Sequence, residues 1–276
     1  MKNVSFAWWC HHFFGPEWNA AKFIAAAKRC GVCGIELAPP EIWPLLEAEG
    51  LDCPLAILDY KKDGYGPEPF ELGWNDPANR ARVVAETIRQ IQNCEKSDGV
   101  CHKVIAFSGM RVPSIPEPAA IQNCIDGIRE VIPAAEKAGV TLMFEFLNDK
   151  PGIGWVGHPG YDATGPEYVR HVVEGVGSVH CKMLFDIYHF FRQFPDGDVI
   201  GAMERYRELI GHFHIAGLGD AIRAEPTLGR QDIPWGSVLP YINQHFPETC
   251  VGVEFIPTPK RHYARDLENV VKLIGR

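Results

Sequence analysis

Four side chains able to hold a cation or move a proton stand at the C-terminal ends of successive apolar runs: Glu145 in TLMFEF, Asp186 in KMLFD, His214 in GHFHIAG and Glu254 in CVGVEF. Burying charge is costly unless it is paired or bound to a metal, so four such groups at the same relative place point to one shared cation or substrate. Three carboxylates and an imidazole form an oxygen and nitrogen set suited to a divalent metal ion, Mn²⁺, Mg²⁺ or Co²⁺, with Zn²⁺ as a further candidate. Without a cation the carboxylates repel one another, which raises at least one pKa. Taken singly, each residue has a plainer explanation, as an ion-pair partner or a hydrogen-bonded core histidine. Their joint recurrence is what marks a site.

Elements of matching length must carry these groups. VSFAWW, GIEL, PLAIL, KVIAFS, VTLMFEF, KMLFDI, GHFHIA and CVGVEF are short apolar or β-rich runs, giving eight expected strands. Between them, apolar residues at helical spacing predict amphipathic helices: Phe23, Ile24 and Ala27; then Val83, Val84, Thr87, Ile88 and Ile91; then Ile121, Cys124, Ile125, Ile128 and Ile132. Weaker patterns predict helices over 41–49, 165–176, 198–209, 235–245 and 262–275. Pro133 is expected to kink the third helix or begin a new turn, and Gly139 to end it.

Eight strand–helix units fit an α/β fold of one domain over 1–276, a (β/α)8 TIM barrel. A doubly wound sheet is disfavoured because no GxGxxG follows the first strand. The three longest connections, 59–75, 147–164 and 216–234, all follow strands, the face that barrel enzymes elaborate. Strand alternation places Thr141 and Met143 on the side of Glu145, Leu184 with Asp186, and His212 with His214, of which His214 lies about 7 Å nearer the rim.

Composition excludes several classes. With 46% hydrophobic and 22% charged residues the chain can build a substantial core. A formal charge of −8, from 27 basic and 35 acidic residues, opposes binding to nucleic acid. There is no bilayer-length apolar run and no secretory h-region in MKNVSFAWWCHHFF, so a cytoplasmic protein without membrane contact is expected. Nine scattered cysteines, an odd number, read as buried apolar residues; the CxxC of Cys30 and Cys33 lacks the second pair of a zinc site.

Around the expected mouth, Trp8, Trp9, His11 and His12 either line the opening or cap the core. Trp155 and His158 lie in a loop with Gly152, Gly154, Gly157 and Gly160, read either as a mobile lid or as a passive surface loop. Lys61, Lys62, Arg111, Arg192 and Arg230 are candidates to receive a substrate carboxylate.

The blocks PAAEKAGVTLMFEFLN, LFDIYH, GHFHIAG, GRQDIPW and VGVEF, in that order, resemble those of the xylose isomerase-like barrel superfamily, nearest to its hydroxypyruvate isomerase branch and the related ketohexose 3-epimerases. The resemblance implies that Glu145, Asp186, His214 and Glu254 hold the metal, that Glu145 and Glu254 are the catalytic pair, and that His189 contacts substrate. It also implies a homo-oligomer. Two positions depart from the pattern. Asp220 stands six residues after His214, where the epimerases carry an arginine, leaving Arg223 as the candidate for substrate binding. The hydroxypyruvate isomerase branch often carries glutamine at the place of His214.

The expected activity is isomerisation or epimerisation of a small hydroxy-carbonyl compound or sugar through an enediolate, with proton transfer between the two glutamates. A dehydratase or lyase on the same barrel is the competing enzyme class. A zinc-dependent abasic-site endonuclease would need more histidine ligands and a basic footprint. A sugar-binding barrel without turnover would not need both glutamates.

Overall fold

The computed structural model describes the chain apart from residues 1–2, 16–17, 62–63, 153–155, 219–222, 225–232, 257–262 and 275–276. Its central sheet is built from the apolar runs. The strands are β1 (Val4–Ala7), β2 (Gly34–Glu36), β3 (Lys103–Phe107), β4 (Thr141–Glu145), β5 (Cys181–Asp186) and β6 (Ile210–Ile215). A short antiparallel pair, β7 (Gly217–Leu218) with β8 (Arg223–Ala224), follows, and β9 (Val251–Val253) completes the set. The seven sheet strands run parallel in the order β2-β1-β9-β6-β5-β4-β3.

The third expected strand is where sequence and structure differ. PLAIL forms no regular ladder, because Pro54 has no amide to donate. The segment nevertheless fills the gap between β2 and β3: Ile35 N donates to Asp52 O (3.0 Å), Leu37 N to Leu55 O (2.7 Å), Ala56 N to Lys103 O (2.8 Å) and Ile105 N to Ala56 O (2.9 Å). These bonds close the sheet into a TIM barrel with seven regular staves and one irregular one. At the turn out of β2, Leu37 takes φ 57°, a left-handed conformation that costs a branched side chain about 1–3 kcal/mol.

Helices pack outside the barrel: α1 (Ala20–Cys30), α2 (Trp43–Ala48), α3 (Arg80–Lys96), α4 (Glu117–Ala138), α5 (Pro166–Val176), α6 (Ile187–Gln193), α7 (Val199–Arg205), α8 (Trp235–His245) and α9 (Tyr263–Ile274). Outward-facing strand residues such as Phe6, Ile35, Val104, Leu142, Phe144, Phe185, Phe213 and Val253 are fully buried beneath them. Pro133 does not break α4. It sits on the helix's exposed side, where water can satisfy the carbonyl it leaves unbonded, while Val131, Ile132 and Ala135 anchor the other face. Gly139 caps that helix at φ 65°, as expected. The stretch 198–209 divides into α7 and a 3-10 turn, and α6 had no counterpart in the periodicity. No described helix is long and apolar enough to cross a membrane, and all nine cysteines are free thiols.

Candidate metal centre and active-site cavity

Glu145 and Asp186 are the last residues of β4 and β5, His214 is the penultimate residue of β6, and Glu254 follows β9 directly. Strand alternation turns all four into the barrel. Their levels are matched by an irregularity: Met183 pairs with Ile210 but Leu184 pairs with His212, so Gly211 is passed over. That one-residue shift sets Asp186 beside His214; an unshifted register would have put Phe213 there.

The four groups converge. One ligand-type atom from each of Glu145, Asp186, His214 and Glu254 lies within 4.8 Å of the others, and all four residues are buried. His214 Nδ1 is 3.0 Å from Glu145 Oε1 and 3.1 Å from Glu254 Oε2. Trp9 Nε1 donates to the other Glu254 oxygen at 2.9 Å. Asp186 caps α6, its Oδ1 accepting from His189 N at 2.8 Å. His189 Nδ1 accepts from Asn148 N (3.1 Å) and from the Asn148 side-chain amide (2.7 Å), which assigns the ring proton to Nε2.

The electrostatics fit a divalent cation. Burial raises the Glu145 carboxyl to about 7, with Glu254 and Asp186 adding to the rise and His214 opposing it. Burial also lowers the His214 imidazole, but Glu254, Glu36 and Glu145 outweigh that and hold it well above its ordinary value. Three buried carboxylates share a single imidazole, and a hard oxygen and nitrogen set around a cation relieves that repulsion.

The linkage has a definite sign. Glu145 favours its protonated form in the fold, so its contribution is fully present below 4.5 and is lost as pH rises through about 7. His214 acts in the same direction, since its stabilising charge disappears as pH rises through its raised value. A cation replaces both protons. The increase in unfolding temperature on adding Mn²⁺ to chelator-treated protein is therefore expected to be larger at about pH 8 than at about pH 5. Equal increases at the two pH values would contradict this assignment.

Above the cluster lies a cavity of about 380 Å³ lined by Trp9, His12, Leu147, His158 and His189 together with Glu145 and Glu254. Trp9 and His12 thus line the mouth, whereas Trp8 packs on the core and the buried His11 ring stacks on Phe23 at 5.3 Å. The two expectations for that aromatic segment divide between its residues. His158 N is tied to Asn148 O at 3.0 Å and its ring lies 5.4 Å from that of His189, while Trp155 and Gly154 fall outside the described residues.

Among the candidate carboxylate receptors, Lys61 reaches the cavity but pairs with Glu68 at 2.6 Å. Arg111 pairs with Asp162 and Arg192 donates to Pro151 O, and neither lines the cavity. Lys62, Asp220 and Arg230 lie outside the described residues, and Arg223 is described as backbone in β8.

Sequence reasoning missed Glu36. It ends β2 in GIEL, the same strand-end position as the four expected ligands, and is fully buried with Oε1 3.0 Å from His214 Nε2. Its run is only three residues long, so the signal was present but weak. Also missed were Asn148, which sets the His189 tautomer, and Tyr161, whose hydroxyl donates to Glu145 O at 3.1 Å and accepts from Ser108 N at 2.9 Å.

Comparison with known proteins shows the family and the fold. The family model described as xylose isomerase-like TIM barrel matches residues 24–272. Hydroxypyruvate isomerase of Escherichia coli (strain K12) is 29% identical over 133 residues, 48% of this chain and 47% of that protein. D-psicose 3-epimerase of Enterocloster bolteae is 26% identical over 116 residues, 42% of this chain and 34% of the relative. The matched stretches thus span about half of one relative and a third of the other. A solved structure described as an AP endonuclease of family 2 from Brucella melitensis superposes with a TM-score of 0.77 over 97% of both chains. At 18% identity that likeness is one of fold alone.

Proposed function

Since the chain belongs to the xylose isomerase-like TIM barrel family, we propose that it is a divalent-metal-dependent isomerase or epimerase acting on a neutral hydroxyketone of sugar size. The observation that carries this reading is the placement of two carboxylates, Glu145 and Glu254, about one imidazole nitrogen at 3.0 and 3.1 Å, both opening into the same cavity. A divalent cation held by Glu145, Asp186, His214 and Glu254 would supply polarisation of the substrate carbonyl and neutralise the charge of an enediolate.

The residues of the chain move the protons. One glutamate removes the proton from the carbon beside the carbonyl, and the other delivers a proton to the neighbouring carbon or to the opposite face. Trp9 holds Glu254 in one orientation through its indole N–H. His189, kept in the Nε2–H tautomer by Asn148, is assigned to steady charge on a substrate oxygen. Arg223, on the hairpin that follows β6, is assigned to bind substrate.

Two features favour a neutral sugar over a keto acid. The cavity, about 380 Å³, is in the size range of ligands well beyond three carbons. The described cationic residues lining it are already paired, Lys61 with Glu68 and Arg89 with Glu86 at 2.7 Å, so they neutralise side chains of the protein before any substrate carboxylate. The formal charge of −8 likewise disfavours a nucleic-acid substrate.

Solvent exchange tests the proposal. Mn²⁺-loaded protein in D₂O, given a panel of ketoses and hydroxy keto acids, is expected to incorporate deuterium at the carbon next to the carbonyl and to form an isomer heavier than the substrate only by the deuterium taken up. Loss of water from the product would identify a dehydratase instead. Binding with neither deuterium incorporation nor a new isomer would reject turnover.

A further inference from the structure

We infer that Glu36 is a positioning residue of the metal centre, holding the His214 ring with its Nε2 proton toward the barrel interior so that Nδ1 is the nitrogen presented to the cation. The inference rests on the metal-centre reading above and extends it to a residue outside the ligand set.

A neutral imidazole has one proton and two nitrogens, and the partner of one nitrogen decides what the other can do. On one side of the His214 ring stand Glu145 and Glu254, both near Nδ1. On the other side stands Glu36, its Oε1 3.0 Å from Nε2. The contact has ion-pair length without hydrogen-bond alignment, so the attraction acts through charge. Glu36 is itself held on its second oxygen, where Oε2 accepts from Ser5 Oγ at 2.7 Å and lies 2.9 Å from His212 Nε2. Glu36, Ser5, His212 and His214 are all buried.

The barrel interior is shaped for this carboxylate. Gly252 is the register partner of both Ser5 and His214, and a Cβ there would lie 1.8 Å from Glu36 Oε1. Glycine is what leaves room for the carboxylate beneath the ligand cluster. A buried carboxylate between two imidazoles, with a hydroxyl donor and a cleared space, is a costly arrangement for a barrel that needed only apolar filling.

The tautomer can be read in the unsubstituted protein. In histidine-labelled, Zn²⁺-loaded protein, nitrogen NMR is expected to show His214 with a protonated Nε2 and a ligated Nδ1, its signals identified by their loss in His214→Gln. Mn²⁺ binding, followed by the resonance of the free ion, is expected to weaken about 10–100-fold in Glu36→Ala. It should weaken less in Glu36→Gln, whose amide oxygen keeps an acceptor. A protonated Nδ1 with a ligated Nε2 would overturn the inference, as would folded Glu36→Ala protein with unchanged Mn²⁺ affinity, a result that leaves the metal centre standing. Failure of the unsubstituted protein to bind any divalent cation would overturn both.

Discussion

Replacing Glu145 or Glu254 with glutamine is expected to slow exchange of the substrate's carbon-bound proton by about 10²–10⁴-fold, the range that positioned acid–base groups contribute. Glutamine keeps the size of the side chain and an oxygen able to face a cation, but it cannot accept and return a proton. The two substitutions differ in what else they disturb. Glu145 is a carboxylate that burial already drives toward its neutral form, so Glu145→Gln removes a repulsion and leaves the metal-free protein at least as stable above neutral pH. Glu254 accepts from Trp9, and Glu254→Gln keeps that bond only when its amide oxygen faces the indole. Deuterium incorporation under single-turnover conditions, with the unfolding temperature measured on the same samples, separates the loss of proton transfer from loss of fold. Undiminished exchange in either variant removes that residue from the proposed pair.

Gly73→Ala is expected to lower stability by about 3 kcal/mol or more, once overpacking is combined with broken backbone bonds. A Cβ at Gly73 would lie 2.1 Å from Gly109 N and from the carbonyl carbon and oxygen of Ser108. These are backbone atoms, which cannot rotate out of the way. The segments would have to part, at the expense of the bonds from Asn75 N to Ser108 O (2.9 Å) and from Trp74 N to Phe107 O (3.3 Å). Ser108 N donates to the Tyr161 hydroxyl, which in turn donates to Glu145 O, so the displacement reaches the strand end that carries a proposed base. Denaturant unfolding of Gly73→Ala beside Gly50→Ala provides the comparison. Gly50 has a positive φ, 69°, which Gly73 does not, so its alanine variant carries backbone strain alone: a Cβ there would meet nothing within 4 Å. Equal losses in the two variants would show that the close approach of 73 and 109 has no energetic weight.

Much of the molecule was legible before any coordinates. The strand-end positions of Glu145, Asp186, His214 and Glu254 could be read because buried strands leave short apolar signatures and a charged residue interrupts them visibly. Helices with strong apolar stripes, such as α3 and α4, fell where periodicity placed them, and so did α5, which a weaker pattern had marked. The third stave was harder, since Pro54 removes a ladder donor, and the segment is held through bonds to β2 and β3 that local sequence does not encode. Likewise α6 is short, begins directly after a residue already read as a ligand, and is capped by that residue, Asp186.

Residue order by itself determined the chemistry available to this protein: three carboxylates and an imidazole at equivalent strand ends, on an acidic chain with an alternating strand and helix pattern. Local periodicity carries that information because each strand end is written in a few adjacent residues. Tertiary structure alone decided which groups share a face and which side of a ring they address. The passed-over Gly211 brings His214 level with Asp186, and the carboxylate of Glu36 meets His214 from 178 residues away in the chain, in space that Gly252 leaves clear. Register and contact across a closed barrel are set by strands far apart in sequence, and no local pattern can specify them.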